Sequence, residues 1–160
     1  MIKYLETLVA FAEIPDEITL CINITNCPCN CNGCHSSYLS KDIGEELNND
    51  VLDKLISDNS GISCIAFMGG DSSPKEINDL AKYVKDKYSI SIAWYSGRQE
   101  LSKDINLDNF DYIKLGPYIK ELGPLTSKTT NQKLYQYGKL FSDYTIDKCW
   151  KDITYKFWND

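Results

Sequence analysis

The sequence predicts an α/β fold, either a partial (β/α) barrel or an open, curved and mostly parallel sheet. Three observations carry that prediction. Short apolar segments of strand character alternate with amphipathic segments of helical period. Four successive strand segments each end, on their C-terminal side, in a loop bearing glycine or cysteine, and α/β sheets bind their ligands at that edge. The chain has 160 residues, whereas a closed eightfold barrel takes about 250.

The elements follow in order. Ile18–Ile24 is β-rich, mostly apolar, and runs directly into a cysteine-bearing loop. Leu47, Val51, Leu52, Leu55 and Ile56 share one helical face, which predicts a helix over residues 47–56. Ile62–Phe67 reads as a buried strand that ends at Met68-Gly69-Gly70-Asp71. Ser73-Pro74-Lys75-Glu76 is a helix start, with Ser at the cap, Pro at the first helical position and Glu at the third. That helix is expected to run to about Lys87, with Ile77, Leu80, Ala81, Val84 and Tyr88 facing the core. Ile90–Tyr95 is the next strand, closed by Ser96-Gly97-Arg98. Asp111–Leu115 is a further one, closed by Gly116-Pro117-Tyr118. In a parallel sheet the cysteine loop, Gly69-Gly70, Gly97 and Gly116 converge on one site.

Residues 123–137 are polar and turn-rich. The tail beyond them carries Phe141, Tyr144, Cys149, Trp150, Tyr155, Phe157 and Trp158. It either packs over the sheet or forms a partner surface. One domain over residues 1–160 is expected, with the role of the tail 139–160 left open.

Composition narrows the class. At 42% hydrophobic residues the chain can build a real core. The net charge is −6, and the first 80 residues hold 13 acidic against 4 basic side chains. That balance argues against direct nucleic-acid binding, which needs a concentrated basic surface. No stretch is long and apolar enough to cross a bilayer. Met1-Ile2-Lys3-Tyr4-Leu5-Glu6 lacks the charged-then-apolar pattern of a signal peptide, so a cytoplasmic protein is expected.

Cysteine usage is the most specific signal. There are seven cysteines, four of them between Cys27 and Cys34. In a reducing compartment such crowding points to metal or redox chemistry. Cys21, Cys64 and Cys149 lie apart in apolar surroundings and read as buried structural thiols. Cys27, Cys31 and Cys34 form a Cys-x3-Cys-x2-Cys loop, with Gly33 supplying a permissive backbone beside the last thiol. Three thiolates on one tight loop can hold three irons of a [4Fe–4S] cluster. An electron-transfer cluster normally takes four, so the fourth iron is left open to a chelating amine and carboxylate. The rival reading counts Cys29 and gives four thiolates for a structural zinc ion, although zinc sites usually draw two well-separated cysteine pairs.

The Cys27-x3-Cys31-x2-Cys34 loop after the first parallel strand, followed by Gly69-Gly70-Asp71 after the next, resembles the radical S-adenosylmethionine superfamily. Five further stretches are Cys34-His35-Ser36, residues 9–17, residues 67–71, residues 111–118 and Thr129-Thr130-Asn131-Gln132. With these the chain is similar, over roughly residues 2 to 138, to the activating proteins of anaerobic ribonucleoside-triphosphate reductases. The resemblance implies a radical-type partial barrel and two cofactors, a [4Fe–4S] cluster with one open iron and S-adenosylmethionine. It also implies that the chain installs a glycyl radical on the large subunit of such a reductase, with a flavodoxin-type or other low-potential electron donor. Residue by residue, it implies that Cys27, Cys31 and Cys34 ligate iron, and that Gly69, Gly70 and Asp71 meet the methionyl amine. Gly33, Cys34 and His35 then border the adenine side, and Ser96 and Arg98 reach the ribose or carboxylate. The chain departs from the pattern in three places. Asp71 replaces the usual glutamate, Gly33 stands where many members carry an aromatic residue, and the Asp-x-Lys of related activators is absent around Lys114. A small radical enzyme acting on another protein or peptide, and a non-catalytic zinc- or iron–sulfur-binding module, are the alternatives.

Overall fold

The computed structural model describes residues 1–137 and 150–158. Among them eight strands form a single sheet: β1 (Lys3–Ala10), β2 (Thr19–Ile24), β3 (Glu45–Glu46), β4 (Cys64–Met68), β5 (Ser91–Tyr95), β6 (Tyr112–Leu115), β7 (Lys133–Tyr137) and β8 (Trp150–Asp152). Two α-helices, α1 (Asn49–Asp58) and α2 (Pro74–Lys87), cross between strands. The spatial order is β3-β1-β2-β4-β5-β6-β7-β8.

The four strands read from the sequence form the parallel centre, β2-β4-β5-β6. Outside it the sheet turns antiparallel, through β1 and β3 on one side and β7 and β8 on the other. The fold is therefore mixed α/β, with a parallel core of four strands inside a wider mixed sheet. β1 escaped the sequence reading because it shows no alternation of buried and exposed positions. It lies beside β2 with a register shift between Tyr4 and Glu6.

Strand alternation separates two cores. Leu20, Ile22, Ile24, Ile65, Phe67, Ile92, Trp94 and Ile113 point to the face covered by the helices, where they meet Leu52, Ile77, Leu80, Ala81 and Val84. Cys21, Cys64, Ala66, Ala93 and Tyr112 point to the opposite face. That face is closed by Ile14 from the β1–β2 loop, Leu134 of β7 and Ile153 beyond β8.

Helix α2 begins at Pro74 as expected, but its start is not a capping box. Ser73 makes no side-chain cap bond. The Glu76 carboxylate instead accepts from the backbone N–H of Ile2 at 2.9 Å, tying the lead-in to β1 to the helix. Of the tail, β8 pairs with β7, Ile153 is buried and the Trp158 indole donates to the Leu125 carbonyl at 3.1 Å. This part packs on the sheet; Phe141, Tyr144 and Cys149 lie outside the described residues. No described helix is long and apolar enough to cross a membrane.

Candidate metal centre

The cysteine loop leaves the C-terminal end of β2 and turns through three left-handed residues, Asn26 (φ 59°), Asn30 (φ 46°) and Gly33 (φ 76°). Asparagine tolerates that region better than most side chains, and glycine adopts it freely. The returning segment holds the loop in place. Asn26 N–H donates to the Lys41 carbonyl and Cys27 N–H to the Leu39 carbonyl, both at 3.0 Å, and Leu39 itself is buried. Within the loop, Cys34 N–H donates to the Cys31 carbonyl at 3.2 Å.

Below the loop lies a cavity of about 220 Å³. Its roof is Cys27, Cys29, Cys31 and Cys34. Its floor is one residue from each parallel strand: Asn23, Met68, Tyr95 and Lys114. These four are direct neighbours in the sheet register, Asn23 opposite Met68, Met68 opposite Tyr95 and Tyr95 opposite Lys114. A hollow of about 170 Å³ on the other side of the loop is lined by Cys27, Cys31 and Cys34 with Ser36, Ser37 and Ser40. Cys27, Cys31 and Cys34 thus border both spaces, and Cys29 only the inner one.

Cys29 is turned towards the next loops. Its thiol donates to Asp71 Oδ2 at 3.7 Å, and a Cβ on Gly97 would stand 2.8 Å from its sulfur. Burial, reinforced by the Asp71 carboxylate and Cys27, pushes this thiol up to about 12. Among the described residues no three His, Cys, Asp or Glu side chains converge on a single ion position. An iron–sulfur cluster does not ask for that convergence, since its thiolates sit on separate irons. Three thiols from one loop on one cavity are the donor type and arrangement that such a cluster takes.

Asp71 is buried between two strand ends. Oδ1 accepts from the Ser96 hydroxyl at 2.5 Å and Oδ2 from Gly97 N–H at 2.8 Å. Ser96 Oγ in turn accepts from Arg98 N–H at 3.0 Å. Gly69 (φ 103°) lines the cavity; its N–H donates to the Tyr95 carbonyl and its carbonyl accepts from the Trp94 indole. Gly70 does not line it. It is buried against Ile77, whose Cδ1 would lie 2.5 Å from an added Cβ, and its carbonyl accepts from Ser73 N–H.

Three other expected residues, Gly33, Arg98 and His35, stand outside the cavity lining. Arg98 is exposed and borders an open groove of about 540 Å³ on the far side of Asp71, with Pro74 and Leu101. His35 is exposed, its ring centroid 6.1 Å from that of Tyr118. Tyr118 does line the cavity, and its Cε1 stands 3.6 Å from the position of a Gly33 Cβ.

Asn23, Met68, Tyr95 and Tyr118 were missed in the sequence, and Lys114 was given no role. Lys114 is 8% exposed. Its ammonium donates to the Gly116 carbonyl at 2.7 Å and the Ser96 carbonyl at 3.3 Å, and lies 6.0 Å from the Tyr95 ring centroid. Burial pulls it down to about 8, against the opposing pull of Asp71, Cys31, Cys29 and Cys34. The Tyr95 phenol is driven well above its ordinary value by burial, and donates to the Glu13 carbonyl.

A family model described as a 4Fe-4S single cluster domain matches residues 18–136. No curated protein and no solved structure matches the chain.

Proposed function

Because the chain belongs to the family of 4Fe-4S single cluster domains, we propose that its cluster is held by Cys27, Cys31 and Cys34 and that it works as a radical S-adenosylmethionine activase. The observation that carries this reading is the shared cavity. Cys27, Cys31 and Cys34 are three of the four thiols in its roof, and Gly69, Asp71, Ser96 and Lys114 from successive strand ends line it below. Domains of this kind occur in radical S-adenosylmethionine proteins. Held by Cys27, Cys31 and Cys34, such a cluster would supply the one-electron reduction that cleaves the sulfonium of S-adenosylmethionine and opens hydrogen abstraction from a glycine Cα.

The chain's own residues bind, orient and shield. Asp71 keeps lone pairs beyond its bonds to Ser96 and Gly97 and can accept from the methionyl amine. Lys114 provides a buried cation for the methionyl carboxylate, a task for which Arg98 lies too far out. Tyr118 and His35 offer an aromatic edge beside Gly33 on which a purine can rest. The inner cavity, at about 220 Å³, is small against the roughly 300–1,000 Å³ of ordinary ligand pockets. The nucleoside end must therefore extend beyond it, and a partner's surface must exclude water from the radical. The large subunit of an anaerobic ribonucleoside-triphosphate reductase, bringing a glycine loop to the open side, fits that need, with a flavodoxin-type or other low-potential donor supplying the electron.

The test is anaerobic reconstitution with iron and sulfide, reduction, and addition of S-adenosylmethionine. Formation of 5′-deoxyadenosine is expected, and a glycyl EPR doublet on adding the reductase subunit. A fully loaded cluster that releases no 5′-deoxyadenosine overturns the radical reading and leaves a cluster-binding module. Cleavage without a glycyl signal on the reductase moves the target to another protein or peptide.

A further inference from the structure

We infer that Lys114 and Asp71 are an opposed pair of buried charges that sets the reduction potential of the cluster, the ammonium raising it and the carboxylate lowering it. The inference rests on the cluster alone and stands whether or not S-adenosylmethionine is the ligand. Both side chains are more than nine-tenths buried, at 8% and 7% exposure, and both line the cavity under the three thiols. One residue anchors the two of them. The Ser96 hydroxyl donates to Asp71, and the Ser96 carbonyl accepts from Lys114. A second carbonyl, that of Gly116, and a second donor, Gly97 N–H, complete the two anchors.

The anchoring leaves something over. An ammonium has three donors, and Lys114 uses two on carbonyls. Among the described residues the third has no hydrogen-bond partner. Lys114 also lies in the field of Asp71, Cys31 and Cys34. A buried cation with a spare donor is only partly compensated by the charges around it, so further negative charge in the same cavity is stabilised.

Reduction delivers it. A one-electron donor of low potential adds one negative charge to the cluster; no bond forms or breaks, and neither residue takes up or gives a proton. A fixed positive charge inside the same low-dielectric space stabilises the reduced form, and a fixed negative charge opposes it. Asp71 is held in place by Ser96, Gly97 N–H and the Cys29 thiol and is the counterweight. The potential is then the balance of two groups tied to one serine.

The experiment measures the midpoint potential of the anaerobically reconstituted full chain by mediated titration, without S-adenosylmethionine. It compares wild type with Lys114→Gln, Lys114→Arg and Asp71→Asn at matched iron and sulfide content. The expected results are a shift to more negative potential for Lys114→Gln, to more positive potential for Asp71→Asn, and a value near wild type for Lys114→Arg. Opposite signs are the decisive readout, since general loosening of the site would move both variants the same way. Shifts of equal sign, or no shift at full loading, overturn the inference. If only one of the two loads the cluster, a shift of its expected sign with Lys114→Arg near wild type supports the inference, and any other result overturns it. If neither loads while wild type does, the pair serves cluster assembly and the inference falls.

Discussion

The two faces of this sheet are made by the same strands and could hardly differ more. Towards the helices the register aligns Leu20, Ile65 and Ile92 in one row and Ile22, Phe67, Trp94 and Ile113 in the next. Every one of these is large, apolar and buried. Towards the other face the rows read Thr19, Cys64 and Ser91, then Cys21, Ala66, Ala93 and Tyr112, then Asn23, Met68, Tyr95 and Lys114. Side chains there are mostly small in the first two rows, and a row of long side chains comes only at the C-terminal ends, beneath the cysteine loop. The helix face is packed for stability. The other face is graded, dense where Ile14 and Ile153 fill it and hollow where the thiols roof it. Among the described residues an ionisable ammonium is buried in the hollow end and none in the helix-side core.

The largest effect that tests this contrast belongs to the roof. Cys27→Ala, Cys31→Ala or Cys34→Ala removes one of three donors, and reconstituted protein is expected to lose its charge-transfer absorbance and nearly all bound iron. Cys29→Ala is expected to retain most of both, because that thiol is bonded to Asp71. Iron and sulfide assay with an ultraviolet–visible spectrum reads all four variants. Iron loss in Cys29→Ala equal to that in the others would put the fourth thiol on the metal.

Next in size is a pair of neighbours on β4. Phe67 is fully buried on the helix face, and Phe67→Ala is expected to cost about 3–5 kcal/mol in urea unfolding. Met68 follows it in sequence but is only half-buried, on the cavity floor. Met68→Ala is expected to cost about 1 kcal/mol or less, since an existing hollow is only widened. Comparable losses would mean that the hollow end is as tightly packed as the rest.

Legibility from sequence follows the same divide. The helix face was readable, because Ile77, Leu80, Ala81 and Val84 repeat at helical spacing and the strands are runs of branched apolar residues. The loop was readable because Cys27, Cys31, Gly33 and Cys34 carry their chemistry in local spacing. The cavity floor was not. Asn23, Met68, Tyr95 and Lys114 lie in four separate segments, and only the pairing register brings them into one row. Gly70 shows the converse. It reads as a ligand contact beside Gly69, but its positive φ serves a close approach to Ile77. Arg98 was singled out as the lone arginine, while the cation that lines the cavity is one lysine among sixteen.

A third measurement follows stability with pH. The Lys114 ammonium has its folded value near 8, well below the ordinary 10.5. The unfolded chain then binds more protons between these values, so this group adds stability as pH rises from about 8 to 10.5 and withholds it below. Lys114→Met lacks the group. Wild type is compared with this variant, both as apo-protein. The difference in unfolding free energy is expected to move in favour of wild type by up to about 3 kcal/mol across that interval. A flat difference would mean that the ammonium reaches water and that the hollow end is not a low-dielectric space.

The smallest effects concern the helix starts, where local sequence signals predict the covered face best. Asn48 caps α1, its side-chain oxygen accepting from Val51 N–H at 3.0 Å. Asn48→Ala is expected to cost about 1 kcal/mol. Ser73 occupies the same position before α2 and looks the better cap in sequence, followed as it is by Pro74 and Glu76. Its side chain makes no cap bond, and Glu76 is committed to Ile2. Ser73→Ala is therefore expected to change stability by less than about 0.5 kcal/mol, whereas Glu76→Ala removes the acceptor for Ile2 N–H and is expected to cost more than Ser73→Ala. Helix α2 starts at the edge of the site, one turn from Asp71, and its first turn is held by the strand β1 lead-in rather than by its own cap. Equal losses in Asn48→Ala and Ser73→Ala would restore the local signal at both helices and remove the site's edge as the place where tertiary contacts override it.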